Sequence, residues 1–324
     1  MEQFEKNVSV SRGLNYRYYY TPAVGDNITL LLLHGFPSLG SDWDKQFLFF
    51  KEKGFGVVAP DLLGYGGTAK PSDALDYRHS LIARDVIDIL DAEGIAGRIV
   101  SISHDWGSCL NSRVANYYGD RFVGFAFLAV GYIYFTENRF DEYLAQAKAV
   151  VGYESGGYMK FFSEPDAAQI IEEHFDSFLH HLYPKDPAIW RNDMCPVGAL
   201  KPNILADKKP ELADYVTESD LETYRKNFLT GGLTGPLNWY KIYTSDILAN
   251  DNKQISEEQA RISKPVFVAP CLQDKACIAL FTEKGTAMYC SDLKVQTYDT
   301  GHWVIKEAAD SLNQDLLAWI KDKF

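Results

Sequence analysis

Long apolar runs and paired cysteines are both missing from this chain of 324 residues. No apolar stretch approaches the roughly 20 residues that a membrane-spanning helix needs. The chain has five cysteines, and no two of them have C-x-x-C spacing. They are Cys109, Cys195, Cys271, Cys277 and Cys290. Scattered cysteines in an odd number are typical of reduced thiols and not of a disulfide framework or a zinc site. We therefore predict no bound metal and no membrane span.

Positive charge is also scarce, since 32 basic residues stand against 44 acidic ones and the net charge is -12. Such a chain has no electrostatic reason to approach a phosphate backbone, so we do not expect a nucleic-acid partner. The N-terminal residues "MEQFEKNVSVSRG" lack the basic start and apolar run of a signal peptide, and "KDKF" is not a peroxisomal ending. These absences predict a cytoplasmic protein, and they leave its oligomeric state open.

What the chain does contain is an alternation of short apolar runs with helical patterns. The segment "SLIARDVIDILDAEG" predicts an amphipathic helix that stops at Gly94. The "RYYYTP" segment is rich in β-formers and precedes the alternation, which indicates an antiparallel edge. The apolar runs are "ITLLLLH" (28–34), "FGVVAP" (55–60), "RIVSIS" (98–103) and "GFAFLAV" (124–130). Continuous runs of this kind are typical of strands buried on both faces, so we predict an α/β fold with a mostly parallel sheet flanked by helices.

The alternation is interrupted once. Residues 132–249 show helical patterns and many aromatic side chains, and the alternation returns with "PVFVAPC" (265–271) and "LKVQTYD" (293–299). We therefore predict a core built from residues 1–131 and 250–324, and a helical cap inserted at 132–249 that covers a site at the sheet edge.

The stretch "SISHDWGSCL" (101–110) has the strand, sharp turn and helix of a nucleophile elbow, with Asp105 at its apex. The small residues Ser103 and Gly107 permit the tight turn. The alternative is that Asp105 only caps the helix that follows it. In "LLLLHGFPSLGSDWD", a loop follows a buried strand, and the backbone N–H of Phe36 could act with that of Trp106 as an oxyanion hole.

Two more candidates lie near the C-terminus. His302 follows a predicted strand in "GHW", and Asp274 follows the strand before it in "LQDKAC". The order Asp105, Asp274, His302 is the nucleophile, acid, base order of the α/β-hydrolase architecture. Asp299 in "YDTGHW" is the alternative for the orienting acid.

A carboxylate at the elbow indicates a particular chemistry. Aspartate is ionised near neutral pH, and its attack on a saturated carbon forms an ester that His302 and water can hydrolyse, whereas serine would form an ether. A halide on carbon or an epoxide suits this sequence of steps. An epoxide oxygen needs a proton donor, and the insertion offers Tyr158 and Tyr240. The residues alone do not single out these two among 20 tyrosines.

The motifs "HGFPSLGSDWD", "APDLLGYGGTAKP", "SHDWGS", "GPLNWY" and "GHW" together resemble the soluble epoxide hydrolases of the α/β-hydrolase superfamily. The resemblance covers essentially the whole chain. It implies that Asp105 is the nucleophile, His302 the general base and Asp274 the orienting acid. It also implies two cap tyrosines that hold the epoxide oxygen, which "YMKFFSEP" gives as Tyr158 and "GPLNWY" gives as Tyr240.

The expected activity is the conversion of lipophilic epoxides and water to vicinal diols, without a cofactor, through an ester of Asp105. Aromatic residues near the two tyrosines, Trp239, Phe161 and Phe162, are candidates for substrate binding. The alternatives are a haloalkane or haloacid dehalogenase with the same nucleophile and a non-catalytic small-molecule receptor on the same fold.

Overall fold

The computed structural model describes all 324 residues and contains one eight-stranded sheet, in the order β1-β2-β4-β3-β5-β6-β7-β8. Strand β2 pairs antiparallel with β1 and β4, and every other neighbouring pair is parallel. This arrangement confirms the predicted fold class. The strands are β1 Glu5–Ser9, β2 Asn15–Thr21, β3 Thr29–Leu33, β4 Gly56–Pro60, β5 Ile99–His104, β6 Phe122–Leu128, β7 Val266–Ala269 and β8 Leu293–Val295.

Fourteen α-helices accompany the sheet. In the core they are α1 Asp44–Glu52, α2 His79–Ala92, α3 Trp106–Tyr118, α12 Ala279–Ala287, α13 Val304–Glu307 and α14 Ala309–Lys323. Between β6 and β7 they are α4 Phe140–Val151, α5 Tyr158–Phe162, α6 Ala167–Glu173, α7 Phe175–Leu182, α8 Leu200–Leu205, α9 Glu218–Tyr224, α10 Thr234–Thr244 and α11 Asp246–Asn252. None of them is both long enough and apolar enough to cross a membrane.

The central strands are buried along their whole length because helices cover both faces of the sheet. All residues of β3, β4 and β5 are buried, as their apolar runs require. Helices α1 and α14 pack in one apolar cluster of 26 residues, whereas α2 and α3 belong to another of 59 residues. The larger cluster also includes side chains of α5, α7 and α10, so the insertion and the sheet share one apolar core.

The insertion meets the core through hydrogen bonds as well as through apolar contacts. The Tyr183 hydroxyl donates to the carbonyl of Pro37 at 3.0 Å, and the Trp303 indole N–H donates to the carbonyl of Leu182 at 3.0 Å. No strand of the main sheet lies between Leu128 and Val266. The boundaries proposed for the cap, 132 and 249, stay a prediction.

The predicted antiparallel edge is present, and it contains one strand that the sequence did not indicate. The "RYYYTP" segment lies in β2, which is the second strand, and the outermost strand is β1. Its sequence "EKNVS" is mostly exposed and carries a single large apolar side chain, so it gives no strand signal in the sequence.

Candidate active site

The turn between β5 and α3 holds Asp105 in a conformation that few residues adopt. Its φ is 53° and its ψ is −126°, as a sharp elbow requires. A Cβ atom at Gly107 would overlap the backbone oxygen of Leu33, so the close approach of α3 to β3 needs glycine there. The Asp105 side chain makes no capping hydrogen bond to α3, which goes against the helix-cap alternative.

The loop after β3 provides a backbone donor to that side chain. The N–H of Phe36 donates to Asp105 Oδ1 at 2.8 Å. Behind the loop, His34 Nε2 accepts from the N–H of Leu62 at 2.9 Å, so its Nδ1–H donates to the carbonyl of Gly35 at 2.8 Å. Buried His34 therefore fixes the loop that carries the donor. Trp106, the second predicted oxyanion donor, begins α3 beside the nucleophile.

His302 lies between two carboxylates. Its Nδ1 is 2.6 Å from Asp274 Oδ2, and its Nε2 is 3.3 Å from Asp105 Oδ2. The other oxygen of Asp274 accepts the backbone N–H groups of Ala276 and Cys277, both at 2.8 Å. The three predicted residues are thus brought together, and the acid is held so that it orients the imidazole.

Asp299, the alternative acid, lies elsewhere. It accepts a hydrogen bond from the amide of Gln273 at 2.9 Å on the exposed side of its loop. The geometry therefore favours Asp274 as the partner of His302.

The charges of this cluster shift its pKa values in opposite directions. Burial acts to raise the pKa of Asp105, but the hydrogen bond and charge of His302 outweigh it and hold that pKa below its usual value. Burial acts to lower the pKa of His302, but the charge of Asp274 and the bonds to both carboxylates raise it well above its usual value. The resting site is therefore an imidazolium between two carboxylates.

A second histidine stays neutral beside this cluster. Burial, followed by the charge of His302, lowers the pKa of His104 to about 4. Its Nε2–H donates to the backbone carbonyl of His302 at 2.8 Å. His104 thus supports the base without adding charge, and the sequence did not single it out.

The two predicted tyrosines lie together above Asp105. Tyr158 begins α5 and Tyr240 lies on α10, with 6.0 Å between their ring centroids. The Tyr240 ring packs edge-on against Phe36 and Trp106, at 5.1 and 4.9 Å. Burial first, and then nearby groups that include the Asp105 charge, raise the pKa of both phenols well above the usual value. Both hydroxyls therefore keep their protons near neutral pH.

The three predicted substrate-binding aromatics do not line the cavities beside Asp105. Trp239 is one residue from Tyr240 and so points about 100° away around α10, where its indole N–H donates to the carbonyl of Leu63 at 3.0 Å. Phe162 packs behind Tyr240 at 4.9 Å, and Phe161 lies against Phe162 at 5.8 Å. Phe161 and Phe162 thus pack behind Tyr240, Trp239 points away from it, and the prediction that these three side chains contact substrate stays a prediction.

A cavity of about 480 Å³ opens beside Asp105, and 17 of its 22 lining residues are hydrophobic. Gln146 and Thr282 are among the polar residues that line it. Lining residues that the sequence did not indicate include Ile133, Phe135, Tyr143, Ile278, Phe281 and Met288. An apolar cavity of this size, with few polar groups, is typical of a small-molecule site.

Cys277 also faces the cluster. Its sulfur, a ring nitrogen of His302 and a carboxylate oxygen of Asp105 all lie within 4.8 Å of one another, and these are the residues that could hold a metal ion. Burial raises the pKa of the Cys277 thiol to about 12. The thiol is therefore protonated, and His302 and Asp105 are already paired with each other, so we assign this cluster to acid-base chemistry.

Comparison with known proteins identifies the family. The sequence profile described as the alpha/beta hydrolase family matches residues 30–314. The chain belongs to the alpha/beta hydrolase family. Epoxide hydrolase 3 of Siraitia grosvenorii is 30% identical over 244 residues, which cover 75% of this alpha/beta hydrolase and 74% of the relative. This relative confirms the resemblance carried by the motifs.

Two further matches define the extent of the similarity. Bifunctional epoxide hydrolase 2 of Sus scrofa is 24% identical over 301 residues, which cover 92% of this chain and 52% of that protein. The chain thus spans about half the length of the bifunctional relatives it matches. The crystal structure of epoxide hydrolase A from Mycobacterium thermoresistibile matches with a TM-score of 0.79 and 25% identity, covering 98% of each chain.

Proposed function

We propose that this alpha/beta hydrolase is an epoxide hydrolase, which converts an epoxide and water to a vicinal diol. The observation that carries the proposal is the pair of buried, protonated tyrosines opposite an ionised aspartate. A carboxylate at the elbow suits attack on saturated carbon, and phenol hydroxyls suit the oxygen that leaves it. The names of the similar proteins point the same way.

The first step is alkylation of the nucleophile. Asp105 Oδ1 accepts the Phe36 N–H, and Oδ2, which lies 3.3 Å from His302 Nε2, attacks a ring carbon. A bond forms between Oδ2 and that carbon while the ring carbon–oxygen bond breaks and its electron pair passes to oxygen. Tyr158 and Tyr240 donate hydrogen bonds to this oxygen, and one of them gives up its proton. The product is a hydroxyalkyl ester of Asp105.

The second step is hydrolysis of that ester. The resting imidazolium first passes its proton to the tyrosinate that alkylation leaves, so His302 becomes neutral and the tyrosine is restored. Neutral His302 then takes a proton from water, and the hydroxide adds to the carboxyl carbon of Asp105. Negative charge then develops on Oδ1, where the N–H of Phe36 and that of Trp106 would stabilise it. The ester bond breaks as the imidazolium protonates the leaving oxygen of the diol. His302 then takes the remaining proton of the added hydroxyl group, which restores the Asp105 carboxylate and the imidazolium. One epoxide and one water give one diol.

The raised pKa of His302 fits this order of events. In the resting site, hydrogen bonding to the Asp105 carboxylate is one of the effects that raise it. Formation of the ester removes the charge of Asp105, so the pKa of His302 falls at the stage that needs a neutral base. Alkylation itself thus prepares the base for the second step.

Residues 132–249 serve in this proposal as the cap that carries the acids and shields the alkylation step from bulk solvent. Closure of an active site by such a segment strengthens the electrostatic interactions inside it. The cap would thereby separate the alkylation step from bulk solvent.

A single-turnover reaction in ¹⁸O-labelled water tests the proposal. With enzyme in excess over styrene oxide, label should appear in the Asp105 carboxylate, as read by peptide mass spectrometry, because the hydroxide adds to the ester carbonyl. Asp299→Asn is the control variant, because it changes an exposed acid in the loop that carries His302, and it should give the same labelling of Asp105. Label in the diol alone would exclude the ester. Halide release from a chloroalkane panel, with no epoxide turnover, would favour the dehalogenase alternative.

A further inference from the structure

Two spaces of very different size meet at Asp105. The cavity of about 480 Å³ lies on one side, and a gap of about 10 Å³ lies on the other. Asp105 and Tyr158 line both, so the reacting atoms must lie where the two spaces join. The smaller volume is about the room of a single water molecule.

The small gap is closed by large side chains of the core and the insertion. The side chains that close it beyond His302 are Leu182, Trp190, Met194 and Trp303. Trp190 and Met194 are 7% and 1% exposed, so both side chains are packed into the protein interior at this point. Substrate therefore cannot extend in this direction without displacing a buried side chain.

Trp190 is the central part of this wall. It begins a short π-helical segment, Trp190–Met194, and its ring lies 5.4 Å from that of His302. Its indole N–H donates to the backbone carbonyl of His181 at 2.8 Å. Rotation of the indole would break this buried hydrogen bond, so the wall is fixed.

Another pocket lies behind the wall. It has a volume of about 60 Å³ and shares four lining residues with the small gap, namely Leu182, Trp190, His302 and Trp303. Trp190 thus separates two spaces that its removal would join.

The large cavity has the opposite character. It is lined mainly by aromatic and aliphatic side chains and includes no lysine, arginine or histidine. One of its lining residues, Met288, is 68% exposed, so the cavity reaches the surface near α12. This side can take a bulky apolar group, with no cation to attract an acid.

We propose that the substrates are epoxides with one large apolar substituent, such as an aryl ring, on one ring carbon and only hydrogen on the other. This inference rests on the proposed epoxide hydrolase function and deepens it. The oxirane lies between Asp105 and the two tyrosines, its substituent fills the large cavity, and its unsubstituted carbon faces the wall formed by Trp190 and Met194. An epoxide with a large group on each carbon has no room at that wall.

The test compares styrene oxide with trans-stilbene oxide, which adds a second phenyl ring on the other carbon. We expect kcat/KM for styrene oxide to exceed that for stilbene oxide by at least about 100-fold, because the second ring meets a fixed, filled wall. Equal kcat/KM values would overturn the inference. Hydrolysis of neither epoxide would instead contradict the proposed function, so the two failures are distinguishable.

Variants of the wall sharpen the test. Trp190→Ala joins the gap to the pocket behind it. We expect the ratio of kcat/KM for styrene oxide to kcat/KM for stilbene oxide to fall at least about tenfold. Met194→Ala changes the same wall with a smaller loss of volume, and it serves if Trp190→Ala does not fold, as thermal unfolding would reveal. Phe281→Ala is the matched control, because it enlarges the other cavity. An unchanged preference in both wall variants, or an equal narrowing in Phe281→Ala, would contradict the role of the wall.

Discussion

The floor and the roof of the site are built differently. The floor consists of Asp105, Asp274 and His302, which lie on turns that follow strands of the sheet and are held by backbone N–H groups and by each other. The roof consists of Tyr158 and Tyr240, which lie on helices of the insertion and are positioned by packing against other rings. A floor held by hydrogen bonds fixes the chemistry, whereas a roof held by packing can change shape with its neighbours.

The floor acts in both steps and the roof only in the first, so substitutions in the two regions should change the rates of different steps. The largest effect of any single substitution should come from His302→Gln. Steady-state turnover should fall by about 10⁴-fold while Asp105 still reacts, because only hydrolysis of the ester needs the base. Intact-protein mass spectrometry after mixing with styrene oxide should show the added mass of one epoxide. His180→Gln, at a half-buried histidine of α7, is the control. Unchanged turnover in His302→Gln would rule out its role as the base.

Substitutions in the roof should act on alkylation instead. Tyr158→Phe and Tyr240→Phe should each slow it by about 10²-fold, and the double variant should abolish it, because the oxygen then has no proton donor. Rapid-quench measurement of ester formation separates this step from hydrolysis. Tyr65→Phe is the matched control, since it removes a buried hydroxyl that has no hydrogen-bond partner. Slower ester hydrolysis with an unchanged rate of alkylation would contradict the role of the tyrosines as proton donors in the first step.

Acidification should separate the two steps without a mutation. The pKa of Asp105 is lowered, so alkylation should persist as the pH falls to about 5. His302 must lose its proton to act as a base, and its protonated fraction in the ester rises as the pH falls. The ester should therefore accumulate at low pH and disappear on return to neutral pH, as followed by mass spectrometry. Parallel loss of both rates would contradict this sequence of protonation states.

The smallest effect should come from the contact that Tyr183 makes between the insertion and the loop after β3. Tyr183→Phe removes its hydrogen bond to the carbonyl of Pro37, next to the residue that donates to Asp105. We expect the free energy of unfolding to fall by about 1 kcal/mol, measured in urea, because the carbonyl loses a buried partner. A change within error would mean that packing alone joins the insertion to this loop.

The floor could be predicted from the sequence because its residues follow strands that are recognisable as apolar runs. Chain order then brings Asp105, Asp274 and His302 to one edge of a parallel sheet. The residue pattern without the resemblance leaves Asp299 as an alternative to Asp274, since both follow strands of the same region, and the hydrogen bond to His302 favours Asp274.

The roof was predictable only where a motif marks it. "GPLNWY" indicated Tyr240, but it also suggested its neighbour Trp239, which points to another face of α10. The wall residues Trp190 and Met194 carry no sequence signal, because their role depends on how a π-helical segment packs against the sheet. Cys277 was missed for a similar reason, since it faces the site through the turn that holds Asp274.

The narrow contact at the elbow also has an evolutionary consequence. A Cβ atom at Gly35 would occupy the space of the Asp105 side chain, although the two residues are far apart in the chain. A single substitution at position 35 would therefore displace the nucleophile. Lineages that keep the chemistry must keep the glycine, and a lineage that loses the aspartate is free to lose both. A substitution at position 35 is thus expected only where position 105 has also changed.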